Sequence, residues 1–452
     1  MKNEIIVAGM TLLLLFNVLM IDAQRPLTLK ECINYSDQNN SKVKIAKYDA
    51  DASKKRINEQ VGAYLPQING SGSVDDNLKL TSVLIPAQFF GGEAGTFMAM
   101  SFGSKYSLAG GVQLTQKLYD MPGILAIRSA KVSGELSDYN LQKTSELSVY
   151  NISVAYYQTM IIQMQMNVLK SNLKASEESL KSIELKYANG MAKKIDVDKI
   201  RVNCNNTRSQ LQQAELNYAQ SLNTLKFQMG MPVDSALVLA DINLNDGFES
   251  FEKVNNEYRI ENMVDYKIQK TNYTLSEVEK KRTMASFQPT LSFYSNYNVN
   301  AYRKKFNFFE ADQDWYPSYG FGVKLTVPIF DGLQRVQRVA QSELNVKKAQ
   351  ENIRYTEQSI KVDISNYETR YQNALANIRK EKENLELAES VYKNTQMEYK
   401  QGTSTTLDLI QSESSYMVAQ NTYFNKLLDL YIARIDQEKA KGSLTDFINR
   451  QK

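Results

Sequence analysis

Few residues of this sequence have the types and spacing that catalysis or metal binding requires. The chain of 452 residues contains no histidine, which excludes histidine-based acid–base catalysis, a Ser-His-Asp triad and most zinc sites. Its two cysteines, Cys32 and Cys204, cannot build a disulfide framework, and no glycine-rich phosphate loop is present. The sequence therefore predicts no enzyme activity, no cofactor and no metal site.

Two carboxylates nevertheless occupy matching places in the chain. Asp196 and Asp408 lie 212 residues apart (408 − 196), and each follows a glycine, Gly190 or Gly402, by six residues. Each aspartate is predicted in the first turn of a helix, where a carboxylate interacts favourably with the helix dipole or caps free amide groups. The glycines are predicted to be turn residues with positive φ. Capping alone and a further functional role are both open for the two carboxylates.

The elements that position these residues are strands followed by unusually long helices. From Trp315 to Ile329, apolar residues alternate with polar or small ones, which predicts a strand with one apolar face. No proline follows Gly332 and the next glycine is Gly402, so we predict a single helix of about 100 Å between them. Residues 106–119 are likewise predicted to form a strand, followed by a long helix that ends near Gly190.

Apolar residues repeat every seven positions in these helices. The main row of the second long helix consists of Ile364, Tyr371, Ile378, Leu385, Tyr392 and Tyr399. A companion row, broken at Glu381, lies beside it, which is typical of a left-handed coiled coil; a long amphipathic helix in a bundle is the alternative. In the shorter helix predicted at 195–229, Cys204 lies on such a row, so we predict that it is a buried spacer.

An internal repeat relates the two halves of the chain. The pairs 212 residues apart are Gly190 with Gly402, Gly230 with Gly442, Asp196 with Asp408, Ile152 with Ile364 and Tyr187 with Tyr399. Each half is predicted as helix, strand, loop, strand, long helix, glycine turn and shorter helix. The predicted divisions are a first repeat at 24–232, a connection at 233–257, a second repeat at 258–442 and a tail at 443–452.

The N-terminus is typical of an exported protein. An apolar run from Ile5 to Ile21 follows Lys2 and ends at Asp22-Ala23-Gln24, which predicts a secretory signal peptide at 1–23; a retained membrane anchor is the alternative. The net charge of +4 is small and dispersed, so it does not indicate a nucleic-acid partner. A mean hydropathy of −0.43 excludes a polytopic helical membrane protein.

The four predicted strands have the length that a tilted bilayer crossing requires, about 9–11 residues. Four strands cannot close a membrane barrel, since the smallest have about eight, and an open edge in lipid would leave backbone groups unpaired. The chain is therefore predicted to oligomerise through its strands, and three copies would supply twelve. Residues 81–104 and 303–315 are predicted as loops at the end of the strands away from the long helices.

This pattern resembles the TolC-like outer-membrane efflux protein family over about residues 27–442. The motifs are Leu27-Thr28-Leu29 at the start, Tyr64-Leu65-Pro66 and Phe287-Gln288-Pro289 before strands, Leu118-Tyr119-Asp120 and Ile329-Phe330-Asp331-Gly332 after strands, and Tyr399-Lys400-Gln401-Gly402-Thr403 at a turn. The resemblance implies a mixed α and β fold: a homotrimeric 12-stranded outer-membrane β-barrel, four strands per chain, continued by a long α-helical barrel in the periplasm. It also implies a periplasmic adaptor and an inner-membrane pump as partners.

The resemblance further implies a periplasmic gate at the helix tips. The gate tyrosine of the family matches Tyr399, and its acidic gate positions match Asp196 and Asp408. The turns at Gly190 and Met191 and at Gly402 and Thr403 would face the adaptor. Two positions depart from the family, because a gate arginine is replaced by Ser404 and a second acidic position by Gln411; Lys193, Lys194 and Lys400 are the candidate substitutes for the arginine.

Two function classes follow from these patterns. One is an outer-membrane exit duct of a tripartite efflux or type I secretion system, which conducts its cargo passively. The other is a coiled-coil surface or scaffold protein without channel activity, although such a protein has no need of four alternating strands at matched positions.

Overall fold

The computed structural model describes residues 26–240 and 258–450. The predicted signal peptide, 1–23, and residues 241–257 of the predicted connection lie outside the described residues. The chain divides into two compact units. The helical unit contains the described residues up to Ala50, from Ser137 to Lys270 and from Asn352 onwards; the strand unit contains Asp51–Leu136 and Thr271–Glu351.

The elements of the described residues follow the predicted order. They are α1 (Leu29–Asn39), α2 (Ser41–Gly62), β1 (Gln67–Asp76), β2 (Ser82–Pro86), β3 (Phe97–Ser101), β4 (Tyr106–Tyr119), α3 (Met121–Ala188), α4 (Lys194–Met229), α5 (Val264–Ala285), β5 (Thr290–Arg303), β6 (Tyr316–Thr326), α6 (Gln334–Gln401), α7 (Thr406–Ala440) and α8 (Leu444–Arg450). Among the helices of the described ranges, none combines the length and apolar character needed to cross a membrane.

The structure confirms the two repeats. Helices α3 and α6 each contain 68 residues, and α4 and α7 contain 36 and 35. The turn glycines also correspond, because Gly190 and Gly402 have φ of 75° and 81° and Gly230 and Gly442 have φ of 74° and 71°. The long helices are continuous because Pro122, in the first turn of α3, is at a position where a proline is tolerated, and no further proline and no left-handed glycine lies within either helix.

The strand unit contains a four-stranded antiparallel sheet in the order β1-β4-β5-β6. Its register brings apolar side chains of neighbouring strands together, since Leu114 is opposite Ile68, Val112 is opposite Tyr297, and Tyr297 is opposite Tyr319. One face of the sheet is therefore apolar and the other polar, as predicted from the period of two. The apolar face is open within the chain, and Tyr319 and Phe321 are 84% and 81% exposed.

Three details of the strand unit differ from the sequence-based predictions. The segment 81–104, predicted as a loop, contains a hairpin in which β2 pairs with β3. The register of β4 shifts between Lys117 and Tyr119, which interrupts the period of two expected for this strand and places Tyr119 opposite Leu291 on the apolar face. Strand β6 ends at Thr326, before the predicted end at Ile329. Pro328, which has no amide hydrogen to donate, follows shortly after this end.

An aspartate begins each long helix where the chain leaves the sheet. The carboxylate of Asp120 accepts a hydrogen bond from the amide of Gly123 at 3.1 Å. The carboxylate of Asp331 accepts one from the amide of Arg335, also at 3.1 Å. Both aspartates thereby satisfy amide groups that have no partner within the helix, which explains why the strand-to-helix changes occur at these motifs.

The helix predicted at the start of the first half is two helices in the structure. The first, α1, begins with a capping box, in which the Thr28 hydroxyl accepts from the Glu31 amide and the Glu31 carboxylate accepts from the Thr28 amide. The helix breaks at Asn40, whose side chain accepts hydrogen bonds from the amides of Lys42 and Val43 and so caps α2. The amide group of Asn40 also donates to the carbonyl of Gln228, so the break joins α1 and α2 to the end of α4.

The helical unit contains one large apolar core and two smaller apolar clusters. The predicted seven-residue row of α6 contributes to burial, and Ile364, Tyr371 and Ile378 are all buried. Cys204 is buried as predicted, with 1% of its surface exposed. Two segments for which no structure was predicted also contribute buried residues to the core. Leu239, in the predicted connection, forms a β-bridge with Leu27 and is buried. Ile448, in the predicted tail, is buried as part of α8.

Candidate functional site

The candidate site lies in the helical unit, at the two turns that join the long helices to the short ones. At the first turn the amide of Gly190 donates to the carbonyl of Tyr187, and that of Met191 to Lys186. At the second turn the amide of Gly402 donates to Tyr399, and that of Thr403 to Glu398. These paired bonds form a Schellman motif at each tip, which requires a left-handed residue at the glycine position.

Tyr399 packs between the two tips. Its ring lies against a small apolar cluster whose buried members are Ile183, Val197 and Ile200. The ammonium group of Lys186 lies 5.1 Å from the centre of the ring, within the range of a cation–π interaction. Tyr399 therefore joins residues of α3, α4 and α6, which are the elements that would have to move if the tips separated.

The two aspartates at the tips are used differently. Asp408 forms a capping box with Thr405: its carboxylate accepts from the Thr405 amide at 3.0 Å and from the Thr405 hydroxyl at 2.6 Å, while the Asp408 amide donates to that hydroxyl. The hydroxyl and amide of Thr405 lower the pKa of the Asp408 carboxyl. In the matching helix the N-cap residue is Lys193, which makes no side-chain cap, and Asp196 lies in the first turn.

Ser404, at which the resemblance implied a gate arginine, lies in the same tip. Its hydroxyl is 3.5 Å from the Asp408 carboxylate. Within the described ranges no ion pair joins Lys193, Lys194 or Lys400 to either aspartate, so none of these lysines reproduces an arginine lock within this chain. The tips also expose apolar side chains, among them Met191 and the repeat-related pair Ile195 and Leu407.

Glu413 is a buried carboxylate near the tip that the sequence analysis did not identify. It is 7% exposed and accepts hydrogen bonds from the hydroxyl of Ser176 at 2.5 Å and the side-chain amide of Asn203 at 2.9 Å. It therefore links α7 to α3 and α4. Burial raises the pKa of the Glu413 carboxyl, against the two hydrogen bonds, which favour the charged form.

Glu413 belongs to a row of mostly polar residues, spaced by seven, on the packed side of α7. The row consists of Thr406, Glu413, Gln420, Leu427 and Arg434 in α7 and of Lys441 directly after its end, and every member is buried. Gln420 accepts a hydrogen bond from Asn172, and Arg434 pairs with Glu438 at 2.7 Å. The signal in the sequence was a heptad row with polar residues at core positions, a pattern that fixes the register of packed helices in coiled coils.

The sequence matches the model of the outer membrane efflux protein family at residues 33–231 and 279–443. This match covers most of the chain, and we conclude that the protein belongs to this family. Among proteins of curated function, none matches the sequence significantly.

Three solved structures show the same fold. CusC has a TM-score of 0.72 and 16% identity, with 93% of this chain and 92% of CusC covered. VceC of Vibrio cholerae has a TM-score of 0.68 and 13% identity, with coverage of 92% and 96%. The open state of MtrE of Neisseria gonorrhoeae has a TM-score of 0.69 and 15% identity, with coverage of 92% and 89%. At these identities the likeness establishes the fold.

The family decides between the two function classes considered from the sequence. The protein is an outer-membrane exit duct of an efflux system in a Gram-negative bacterium and extends into the periplasm. The family is one of transport channels and not of enzymes. The alternative of a coiled-coil scaffold without channel activity is therefore not retained.

Proposed function

We propose that three copies of this chain form one duct, in which three four-stranded sheets close a 12-stranded barrel in the outer membrane and the helices form a barrel in the periplasm. The observation that carries this proposal is the open sheet. Strands β1 and β6 are its two edges, and each has unpaired backbone groups along one side. In lipid these groups require partners, and the β1 edge of a second copy is the natural partner of β6.

The two faces of the sheet support the same arrangement. The apolar face, with Phe321, Val323 and Leu325 exposed, suits the hydrocarbon of a bilayer. The opposite face carries small and polar residues, including Ser318, Gly320 and Asn298, and suits a water-filled lumen. We therefore assign the apolar face to lipid and the polar face to the pore.

We further propose that the tips form the closing point of the duct. Three copies would place Asp196 and Asp408 in two rings of three carboxylates, with Tyr399 holding the tips together. The turns at Gly190, Met191, Gly402 and Thr403 would meet a periplasmic adaptor that couples the duct to an inner-membrane pump. The exposed apolar side chains of Met191, Ile195 and Leu407 support a contact of this kind, because burying them against a partner would be more favourable than leaving them in water.

Pairs of cysteines would test the closure of the barrel. In a background without Cys32 and Cys204, Ser71→Cys on β1 is combined in turn with Ser318→Cys and Thr326→Cys on β6. Oxidation should link copies through at least one pair, and non-reducing gels should show dimers and trimers. The control combines Gln113→Cys on the interior strand β4 with Ser318→Cys and should remain monomeric. Linkage of the control alone would contradict the proposed edges.

A charged substitution tests which face meets lipid. Phe321→Arg, at the middle of β6 on the apolar face, should destabilise insertion by about 2–4 kcal/mol. The control Ser318→Arg, on the polar face of the same strand, should leave insertion nearly unchanged. The measurement is the amount of heat-modifiable trimer in outer-membrane fractions. Equal trimer yields for Phe321→Arg and wild type would show that the faces are assigned the wrong way round.

A further inference from the structure

The polar face of the sheet carries two lysines at one level. Lys117 on β4 is opposite Ser292 on β5, and Ser292 is opposite Lys324 on β6. Since neighbouring strands lie about 4.8 Å apart, the two lysine Cα atoms are separated by roughly 10 Å, with only a serine between them. Both lysine side chains are exposed, so neither ammonium group is consumed by packing.

The two lysines are not neutralised equally. The ammonium group of Lys117 lies 2.7 Å from the carboxylate of Asp120, which also caps α3. Among the described residues no carboxylate forms an ion pair with Lys324. The remaining acidic residue of the polar face is Asp75, which is opposite Ser107 at the far end of β4, ten residues or about 33 Å from Lys117. The level of the lysines is therefore positively charged.

A hydroxyl group adds to this level from the neighbouring row. Tyr294 is opposite both Thr115 and Gly322 and lies on the polar face. Its ring covers Gly322 closely, because a Cβ atom at Gly322 would lie 2.8 Å from the Tyr294 hydroxyl oxygen. The glycine thus makes room for the tyrosine to lie flat on β6, one row from Lys324.

Further cations surround Lys117 where the strands meet the helices. Lys117 lines a depression of about 460 Å³ together with Arg282 and Arg338. Arg282 pairs with Glu279 at 3.0 Å and Arg338 lies 3.9 Å from Asp331, so their charges are shared with carboxylates. Of these four cations, Lys324 alone forms no ion pair with a carboxylate in the described residues. A bound anion would therefore be most favourable next to Lys324.

We propose that Lys117, Lys324 and the hydroxyl of Tyr294 form a binding subsite for oxyanion groups, phosphates or carboxylates, of solutes that pass through the barrel. This inference rests on the proposed function, because it needs the polar face to line the pore. Three copies would place six lysines in one ring, and because each Lys117 is paired with Asp120, the ring would carry a net charge of about +3 (six lysines minus three carboxylates) on the wall of the pore. Ammonium groups bind phosphate and carboxylate through charge-assisted hydrogen bonds, and the tyrosine hydroxyl donates a further one.

Block of single channels by a multivalent anion tests the subsite. Purified full-length trimers are placed in bilayers of phosphatidylcholine alone, and tripolyphosphate or citrate is added. Both anions should reduce the conductance in a voltage-dependent way. The concentration for half block should rise about tenfold or more in Lys324→Gln. It should rise further in Lys324→Glu and less in Tyr294→Phe, whereas the control Lys305→Gln, in the loop 303–315, should change it little.

The outcomes separate this inference from the proposed function. Trimers that do not conduct, together with cysteines on β1 and β6 that do not link copies, would contradict the proposed function. Conducting trimers in which neither anion blocks, or in which Lys324→Gln and Lys305→Gln behave alike, would overturn the subsite alone. Phosphatidylglycerol added to the bilayer distinguishes the source of the anion. If it raises the concentration for half block in wild type but not in Lys324→Gln, the subsite binds the lipid headgroup and the assignment to passing solutes is wrong; an equal rise in both is the effect of the bilayer's surface charge and leaves the assignment in place. Gels without boiling confirm that each variant is trimeric, and Lys324→Gln replaces Lys324→Glu if the latter does not assemble.

Discussion

The two repeats have the same backbone plan but use it for different chemistry. Their long helices are equal in length, and their turn glycines adopt the same left-handed conformation. The short helices differ: α4 buries one charged residue, Lys226, whereas α7 buries Glu413, Arg434, Asp436 and Glu438. The backbone geometry of a repeat therefore follows from turn glycines and apolar spacing, while its polar interior is free to diverge.

The same divergence is visible at the helix ends. A Cβ atom at Gly230 would lie 2.5 Å from the backbone oxygen of Asn39, whereas one at Gly442 would meet only the side chain of Met263 at 3.6 Å. The two matching glycines are therefore required for different reasons. At Gly442 only the positive φ favours glycine. At Gly230 the backbone at the break between α1 and α2 also leaves no room for a side chain.

We therefore expect the largest difference in stability loss between matching substitutions of the two repeats at these glycines. Gly230→Ala should destabilise the folded trimer by about 2–4 kcal/mol, because it adds a backbone clash to the strained φ. Gly442→Ala should cost about 1 kcal/mol, the cost of the left-handed conformation alone. The temperature at which the trimer band disappears from gels run without boiling measures both. Equal losses for the two variants would mean that the contact with Asn39 relaxes freely.

Glu413 and its repeat mate Arg201 (413 − 201 = 212) provide the next comparison. Glu413→Ala leaves the buried hydroxyl of Ser176 without an acceptor and should cost about 1–3 kcal/mol, whereas the amide of Asn203 is only partly buried and can donate to water. Arg201 lies on the surface and pairs with Glu184 at 2.9 Å with both side chains about half exposed, so Arg201→Ala should cost less than about 1 kcal/mol. Urea titration of detergent-solubilised trimers gives both losses.

The pH dependence of stability should change with Glu413 as well. Burial raises its folded-state pKa, so the folded chain holds this proton more tightly than the unfolded chain does. The resulting stabilisation is full below the pKa of the unfolded state and is lost as the pH rises through the raised folded-state pKa. Glu413→Gln should remove this part of the slope, while Arg201→Gln should leave it in place. A slope unchanged in Glu413→Gln would assign the dependence to other groups.

Tyrosines at the tips offer a third comparison, now of gating. Tyr399 packs on the tip cluster under Lys186, whereas its repeat mate Tyr187 is 47% exposed. If the hydroxyl of Tyr399 holds the closed state, Tyr399→Phe should raise the conductance of trimers without adaptor by a few-fold, and Tyr187→Phe should have little effect. A few-fold rise corresponds to about 1 kcal/mol, the value of one ordinary hydrogen bond. An equal response of both variants would remove the special role of Tyr399.

The sequence predicted the elements that depend on local rules and missed those that depend on distant partners. The long helices follow from the spacing of glycine and proline, and the sheet faces follow from the period of two. The break at Asn40 is different, because its side chain bonds to Gln228 and Ser148, which lie more than a hundred residues away. The hairpin of β2 and β3 lies in a segment rich in Gly, Phe and Met, where glycine favours loops and obscured the strand pattern.

The candidate site shows the same limit. The turn glycines and the capping position of Asp408 were predicted from residue types alone, since both are satisfied within a few residues of the chain. Glu413 was not identified, although its heptad row was present in the sequence. A carboxylate at a core position can be explained only when its hydrogen-bond donors, Ser176 and Asn203, are known, and these lie on other helices.

The smallest predicted effect concerns the two aspartates at the tips. Both would form rings of three charges in the proposed trimer, and such rings favour cations and bind multivalent ones. Asp408 also caps α7 through Thr405, and the lowered pKa of its carboxyl keeps it charged at a pH where an ordinary aspartate begins to protonate. Trimers without adaptor should therefore show a small, cation-preferring conductance that is sensitive to divalent block.

Three variants separate the charge of Asp408 from its capping role. Asp408→Asn removes the charge, and Thr405→Val removes the hydroxyl partner while keeping the charge; Asp196→Asn removes the charge of the other proposed ring. If the carboxylates line the pore, reversal potentials in a salt gradient should shift toward zero in both aspartate variants and stay unchanged in Thr405→Val. If Asp408→Asn and Thr405→Val behave alike, Asp408 acts only on the end of α7. The two repeats would then differ at their tips in gating as well as in capping, because Asp196 alone would contribute charge to the pore.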